Sequence, residues 1–182
     1  MKKIMVISDV HGSYTQLEKA VNIFHEQRYD HLIILGDLYY HGPRNPLPEG
    51  YNPKKCAELL NSIKDKILVV KGNCDAEVDE MISEFKFHEV IRLKFGEMVI
   101  ICDHGHHYGM DNPIKGKYDL YLFGHYHIIY HKRLENCLIM SPGSISLPKD
   151  DNYSYLSIDE KGMAEFYDIN NGELIFAIDI LH

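Results

Sequence analysis

The 182-residue chain has no tryptophan, and its four cysteines (Cys56, Cys74, Cys102, Cys137) form no C-x-x-C pair. That scatter argues against a disulfide framework and suits a reducing, cytoplasmic compartment. No apolar run approaches the roughly 20 residues needed to cross a bilayer. The opening "MKKIMVISDVHG" breaks at Ser8-Asp9 with no small-residue cleavage site after it, so it reads as a first strand and not a signal peptide. Basic residues are in deficit, with 19 Lys and Arg against 27 Asp and Glu and a net charge of −8. Such a balance argues against a broad nucleic-acid footprint and leaves a local positive cleft or a bound cation to attract an anion. There is no internal repeat, low-complexity segment or linker, and the length suits a single domain over 1–182.

What the chain does have is histidine, twelve in all, crowded into "DHGHH" and "GHYH" at the ends of apolar runs. Its first half alternates short β-like runs with helical spacing: "IMVIS", a helix over 13–28, "LIIL", a helix over about 53–63, then "ILVV". Ser13 and Gln16 have capping-box spacing, and Leu17, Ala20, Val21 and Phe24 share one helix face. Pro53 after Asn52 suits a helix start, with Cys56 on the apolar face. The second half is strand-rich, with a hairpin about Gly96, "LYLFG", "CLIMS" and three tail runs separated by "DEKG" and "NNG". That order predicts a layered α/β or α+β sandwich with mixed sheets. Residues 39–53, "YYHGPRNPLPEGYNP", form a proline-rich loop of a length that suits a lid or contact surface.

Five apolar runs end in polar residues of one kind: Asp9-Val10-His11-Gly12, Gly36-Asp37, Gly72-Asn73-Cys74-Asp75, Asp103-His104-Gly105-His106 and Gly124-His125-Tyr126-His127. In layered α/β folds such strand tips converge on one cleft. Mixed oxygen and nitrogen donors suit Mn²⁺, Fe or Zn²⁺ better than a thiolate site would. Two cations about 3.5–4 Å apart can stabilise attacking and leaving oxygens at phosphorus. Such chemistry needs no protein nucleophile. Within "KGNCD", Cys74 is open to four readings: nucleophile, soft ligand, core residue, or substitute for another residue type.

These motifs resemble the calcineurin-like metallophosphoesterases over residues 4–148. "HGPRNPLPEGY", "GNCDAEVD" and "SPGSISLPK" look like the YfcE group of bacterial phosphodiesterases within that superfamily. The resemblance implies a four-layer α/β/β/α sandwich of two mixed sheets. It implies two divalent cations, Mn²⁺ first, with Ni²⁺, Fe, Zn²⁺ and Mg²⁺ as alternatives, activating a bridging water. Asp9, His11 and His127 would hold one cation, Asn73, His104 and His125 the other, and Asp37 both. A homo-oligomer, dimer or tetramer, is also implied.

Several positions depart from the family pattern or lie beside it. Many relatives have histidine after the ligating asparagine, as a proton donor to the leaving group; here Cys74 takes that place. Asp103 stands where many relatives have threonine, and either orients His104 or points away. His106 is a candidate substrate contact, and His107 a surface residue. Asp75 is expected to steady a neighbouring backbone or ligand and not to bind metal. His41 and Arg44 are read as phosphate contacts or as surface or oligomer contacts. The function expected is hydrolysis of small or activated phosphate diesters, with no membrane or nucleic-acid partner. The alternatives are a phosphomonoesterase or nuclease on the same site, and a non-catalytic scaffold like the small retromer subunit.

Overall fold

The computed structural model describes all residues, Met1–His182. Twelve strands and three helices follow in the order β1 (Lys3–Ile7), α1 (Tyr14–Glu26), β2 (His31–Ile34), α2 (Pro53–Ser62), β3 (Ile67–Val70), α3 (Glu77–Ile82), β4 (Phe87–His88), β5 (Ile91–Phe95), β6 (Met98–Cys102), β7 (Leu120–Leu122), β8 (Ile129–Arg133), β9 (Leu138–Pro142), β10 (Ser154–Asp159), β11 (Met163–Asp168) and β12 (Leu174–Asp179). They form a seven-stranded sheet, β12-β11-β10-β1-β2-β3-β4, and a five-stranded sheet, β5-β6-β7-β9-β8. Both are mixed. β1 runs parallel to β2 and antiparallel to β10, and β7 lies parallel to both β6 and β9.

The continuous apolar runs of β1, β2 and β3 follow from burial on both faces. Met5 and Ile7, Leu32 and Ile34, and Val69 pack under α1 and α2. Ile4 and Val6, Ile33 and Leu35, and Val70 point the other way, into the layer between the sheets, where Ile100, Leu120, Leu122 and Met140 meet them. Each such side chain, fully buried, contributes about 1.5–3 kcal/mol. This two-sided core fixes the strand ends, and with them the loops that carry the polar tips.

Both expected helices form, each shorter by a residue or two at its ends. The Ser13–Gln16 capping box closes on one side only. Ser13 Oγ accepts from the Gln16 N–H at 3.4 Å, but the Gln16 amide reaches Asn170, not the cap backbone. Asn52 caps α2 by accepting from Lys55 N–H at 3.1 Å, with Pro53 behind it.

The fourth layer differs from the expected helical one. Ile101, Tyr121, Phe123 and Ile139 on the outer face of the five-stranded sheet are covered by an irregular segment carrying Met110, Ile114 and Tyr118. Gly105, Gly109 and Gly116 there hold φ of 103°, 149° and 157°. With Pro113 among them, the segment cannot sustain a helix. Two mixed sheets face to face, with helices over one of them, are as expected.

Candidate metal centre and cleft

The five polar tips meet at one end of the sandwich. The backbone there is unusual: of seven non-glycine residues with positive φ, five are Asp9, His11, Asp37, His125 and His127, at 49–70°. Left-handed backbone costs a non-glycine residue roughly 1 kcal/mol or more. It turns each chain sharply as it leaves its strand and throws the side chain into the common space. Two glycines are required by proximity. A Cβ on Gly72 would lie 2.1 Å from Asp37 Oδ1, and one on Gly124 would lie 2.0 Å from Ser8 Oγ.

Three imidazoles are held the same way. His11, His104 and His127 each direct Nδ1 at a backbone carbonyl, of Tyr40 (2.8 Å), Leu35 (2.6 Å) and Leu147 (2.7 Å). A carbonyl only accepts, so Nδ1 carries the proton and Nε2 turns a lone pair to the cluster. His11 Nε2 and His127 Nε2 then face each other at 3.2 Å. Asp9 Oδ1 lies 3.3 Å from the latter and 3.8 Å from the former, buried and without a hydrogen-bond partner. Two lone pairs and an orphaned carboxylate oxygen repel one another unless a cation, or failing that a proton, lies among them. The donor set fits a divalent metal.

A second grouping adjoins it. Asp37 Oδ2 lies 3.6 Å from His11 Nε2 and 3.4 Å from His104 Nε2, so one carboxylate faces both groupings. Asn73 Oδ1 is 3.1 Å from His104 Nε2, while its amide nitrogen faces Cys74 Sγ at 3.4 Å. The His125 ring stands edge-on to His104 at 5.3 Å between centroids. Asp9, His11 and His127 form one compact donor group, and Asp9, Asp37 and His104 another.

The charges respond to this crowding. Burial works against ionising Asp9 and Asp37, but the facing imidazoles outweigh it and hold both carboxyls below their usual range. Burial likewise disfavours charge on His104, yet Asp37 and Asp9 push its pKa up to about 9. His127 is raised in the same way by Asp9. Without a cation, the carboxylates draw protons onto the imidazoles instead.

The surrounding groups set the candidate ligands in place. Asp75 makes no contact with the cluster; its Oδ2 accepts from Asp37 N–H (2.8 Å) and Gly72 N–H (2.7 Å), and its Oδ1 from Leu38 N–H (2.7 Å). It locks the Asp37 loop to the Asn73 loop, the backbone role expected of it. Of the two roles open to Asp103, the structure selects the outward one. Its Oδ1 accepts from Tyr121 O–H at 2.6 Å, and the His104 Nδ1 it might have oriented belongs to Leu35.

The "SPGSISLPK" stretch has a role that sequence spacing alone did not reveal. Ser144 and Ser146 hydroxyls both donate to the Asp9 carbonyl, at 2.8 and 2.9 Å. Its Leu147 carbonyl orients His127, and its Lys149 lines the cleft. A Ser-x-Ser after a buried strand was the available signal.

A cleft of about 730 Å³ opens over the cluster, walled by His11, Asp37, Asn73, Cys74, His125 and His127, and by Tyr40 to Asn45 of the proline-rich loop except His41. Arg44 and Lys149 are its two cationic side chains. His41 instead packs edge-on against Tyr51, its Nδ1 buried without a partner. Cys74 donates its N–H to Asp37 Oδ1 at 2.8 Å, and burial with the nearby carboxylates pushes its thiol up to about 12. It therefore stays protonated. His106 stacks beside the exposed His107, its ring 5.4 Å from that of His104. Burial and the neighbouring imidazoles push it down to about 4, so it stands neutral at pH 7.

Residues 1–163 match the calcineurin-like phosphoesterase superfamily domain. The chain is 35% identical to phosphodiesterase YfcE of Escherichia coli K12 over 99% of both chains. The solved structure of that phosphoesterase superposes with a TM-score of 0.92, at 33% identity, covering 98% of this chain and 99% of the other. Vacuolar Protein Sorting 29 from Cryptosporidium parvum shares the fold at a TM-score of 0.67 and 16% identity, over 98% of each chain.

Proposed function

Because the chain belongs to the calcineurin-like phosphoesterase superfamily, we propose that it is a metal-dependent phosphodiesterase acting on small or activated diesters. The observation that carries this reading is the orphaned Asp9 Oδ1, facing two imidazole lone pairs 3.2 Å apart at the floor of an open cleft. Asp9, His11 and His127 would hold one divalent cation, and Asn73, His104 and His125 a second, with Asp37 shared. Mn²⁺ is the first choice, with Ni²⁺, Fe, Zn²⁺ and Mg²⁺ as alternatives. Such ions polarise phosphoryl oxygens and lower the pKa of water enough to supply hydroxide near neutral pH.

The protein's own groups do the rest. Arg44 and Lys149 bring positive charge to a cleft in a chain of net charge −8, which draws a phosphate anion there. Asn73 presents its oxygen to His104 and leaves its amide N–H₂ toward the cleft beside Cys74. The thiol of Cys74, held near 12, is a poor proton source at pH 7. The departing oxygen must leave without much help from it. Esters with stable leaving anions are favoured, and monoesters with alkoxide-like leaving groups are not. His106, neutral at pH 7, serves at most as a hydrogen-bonding contact to substrate.

The scaffold reading has the fold in its favour but not the donor set, since all seven candidate ligand positions carry competent donors. Nuclease action is disfavoured by the acidic balance. A soluble dimer or tetramer in the cytoplasm completes the proposal; no helix is long and apolar enough to cross a membrane. The test is metal content after purification, followed by turnover of bis(4-nitrophenyl) phosphate with and without Mn²⁺. Mn²⁺-dependent release of nitrophenolate is expected, and a protein that binds no metal and turns over no diester would sink the proposal.

A further inference from the structure

Beside the metal cleft lies a second concavity of about 290 Å³, walled by Tyr40, Tyr51, Pro53, Cys74, Ala76 and Val78. Tyr40, Cys74 and Ala76 line both spaces, so the two are continuous across Cys74. We propose that this concavity is the subsite for one arm of the diester, and that it takes a neutral, planar, apolar ring: the aryl leaving group itself. The inference rests on the phosphodiesterase reading and names the substrate class for that site.

Three observations carry it. The walls are tied to the metal ligands from both sides: the Tyr40 carbonyl accepts from His11 Nδ1 at 2.8 Å, and Cys74 N–H donates to Asp37 Oδ1 at 2.8 Å. A group seated there stands in fixed register with the phosphorus in the cleft. The surfaces are apolar and aromatic yet open to solvent, with Tyr40 42% and Val78 59% exposed. Stacking a ring on a tyrosine face removes such surface from water and adds a favourable ring–ring contact beyond burial. Charge excludes the alternatives. No cation lines the concavity, and its one carboxylate, Asp79, accepts from Ala76 N–H at 2.8 Å. A second phosphate or a carboxylate would meet repulsion there.

The volume admits one ring system, being at the small end of the roughly 300–1,000 Å³ usual for ligand sites.

The test separates binding from turnover. Phenylphosphonate and methylphosphonate share the anionic head and differ in the arm, so the ratio of their dissociation constants by titration calorimetry reads the subsite. Wild type should prefer the phenyl compound by about tenfold or more. Val78→Asp, at an exposed position in the first turn of α3 where a carboxylate suits the helix, should erase most of that preference. It should leave methylphosphonate binding unaffected within about twofold and lower kcat/KM for methyl 4-nitrophenyl phosphate, whose leaving ring would occupy the subsite, while Val78→Leu keeps the preference. Saturation-transfer NMR should show the phenyl protons against protein in wild type and not in Val78→Asp.

A phenyl-to-methyl ratio near one in wild type overturns the subsite. So does a Val78→Asp variant that retains the ratio while changing the assembly state in light scattering, which would reassign the surface to a contact between copies. Absence of turnover on every diester would sink the phosphodiesterase reading alone, since the phosphonate ratio still decides the subsite.

Discussion

Replacing Asp75 separates its structural role from metal binding. Its carboxylate accepts three backbone N–H groups and is 7% exposed. Asp75→Ala leaves three donors without partners, at about 1–3 kcal/mol each. Against that stands a relief. Burial and the Asp37 charge raise the Asp75 pKa from 3.8 to about 6, so removing the charge returns roughly 3 kcal/mol. At about 2 kcal/mol for each of the three donors, the balance for alanine is a net loss of about 3 kcal/mol, a fall in Tm of roughly 6–12 °C for a domain of this size. Asparagine loses the same charge but keeps an oxygen for the Asp37 and Gly72 N–H groups, leaving only Leu38 N–H unpaired. The two terms then nearly cancel, and Asp75→Asn should melt within about 1 kcal/mol of wild type in metal-free buffer. Chemical denaturation after chelation measures both. Metal analysis should find occupancy reduced in the alanine variant, whose Asp37 loop is released, and kept in the asparagine variant. An alanine variant as stable as wild type with full metal content would refute the reasoning.

Asp37→Ala should cost more activity than loss of any ligand facing one grouping, and metal analysis should show depletion at both positions; a variant keeping two metals and near-normal turnover would eliminate its shared role. The chelated protein should lose roughly 3 kcal/mol of stability as pH rises from about 6.5 to 9, because folded His104, with pKa near 9, holds a proton that the unfolded chain gives up near 6.5. His127 is shifted in the same direction, and in Mn²⁺-loaded protein, whose ligand imidazoles are unprotonated, the decline should vanish; flat denaturation midpoints in chelator across that window would contradict it. Cys74→Ala should keep most aryl-diesterase activity, and Cys74→His should gain activity on poorer leaving groups, monoesters included; complete loss in Cys74→Ala with fold and metals intact would restore a catalytic cysteine.

That the candidate ligand residues share one cluster was legible because their signal is local: a buried apolar run followed by a polar residue next to glycine. The two-sheet order was legible for a similar reason, since two-sided burial writes continuous apolar runs. What escaped has no such local mark. β8, "IYHKR", is an exposed or half-buried edge strand, and its polar sequence offers no alternation to read. α3 is six residues long, too short for a periodic face, and takes its capping contact from Asp79 to Ala76 N–H. The partner of Asp103 lies on β7, 18 residues on, and only the fold shows that Leu35 had already taken His104 Nδ1. Lys149 reaches the cleft because its own N–H donates to the His127 carbonyl at 2.8 Å, a tertiary contact that spacing cannot show. The outer layer was misjudged as helical because the resemblance, and not the glycine spacing of 105–116, supplied it.

The strained backbones of the candidate ligands explain why so much of the fold serves one end of the sandwich. Five left-handed residues at roughly 1–3 kcal/mol each represent a cost comparable to the whole net stability of a domain, about 5–15 kcal/mol. That cost is not met at the site, where like-charged carboxylates and facing lone pairs add to it. It is offset by the double-sided packing of β1 to β3 and by a small set of polar locks: Asp75 on the Asp37 loop, Ser144 and Ser146 on the Asp9 carbonyl, and three carbonyls on three imidazoles. Each lock fixes a backbone or a tautomer, and none is a candidate ligand. The site is thus preorganised before any cation arrives. Binding then has only to displace protons from His104 and His127 and relieve the repulsion already built in, which is why cation affinity and fold stability should rise and fall together with the locks.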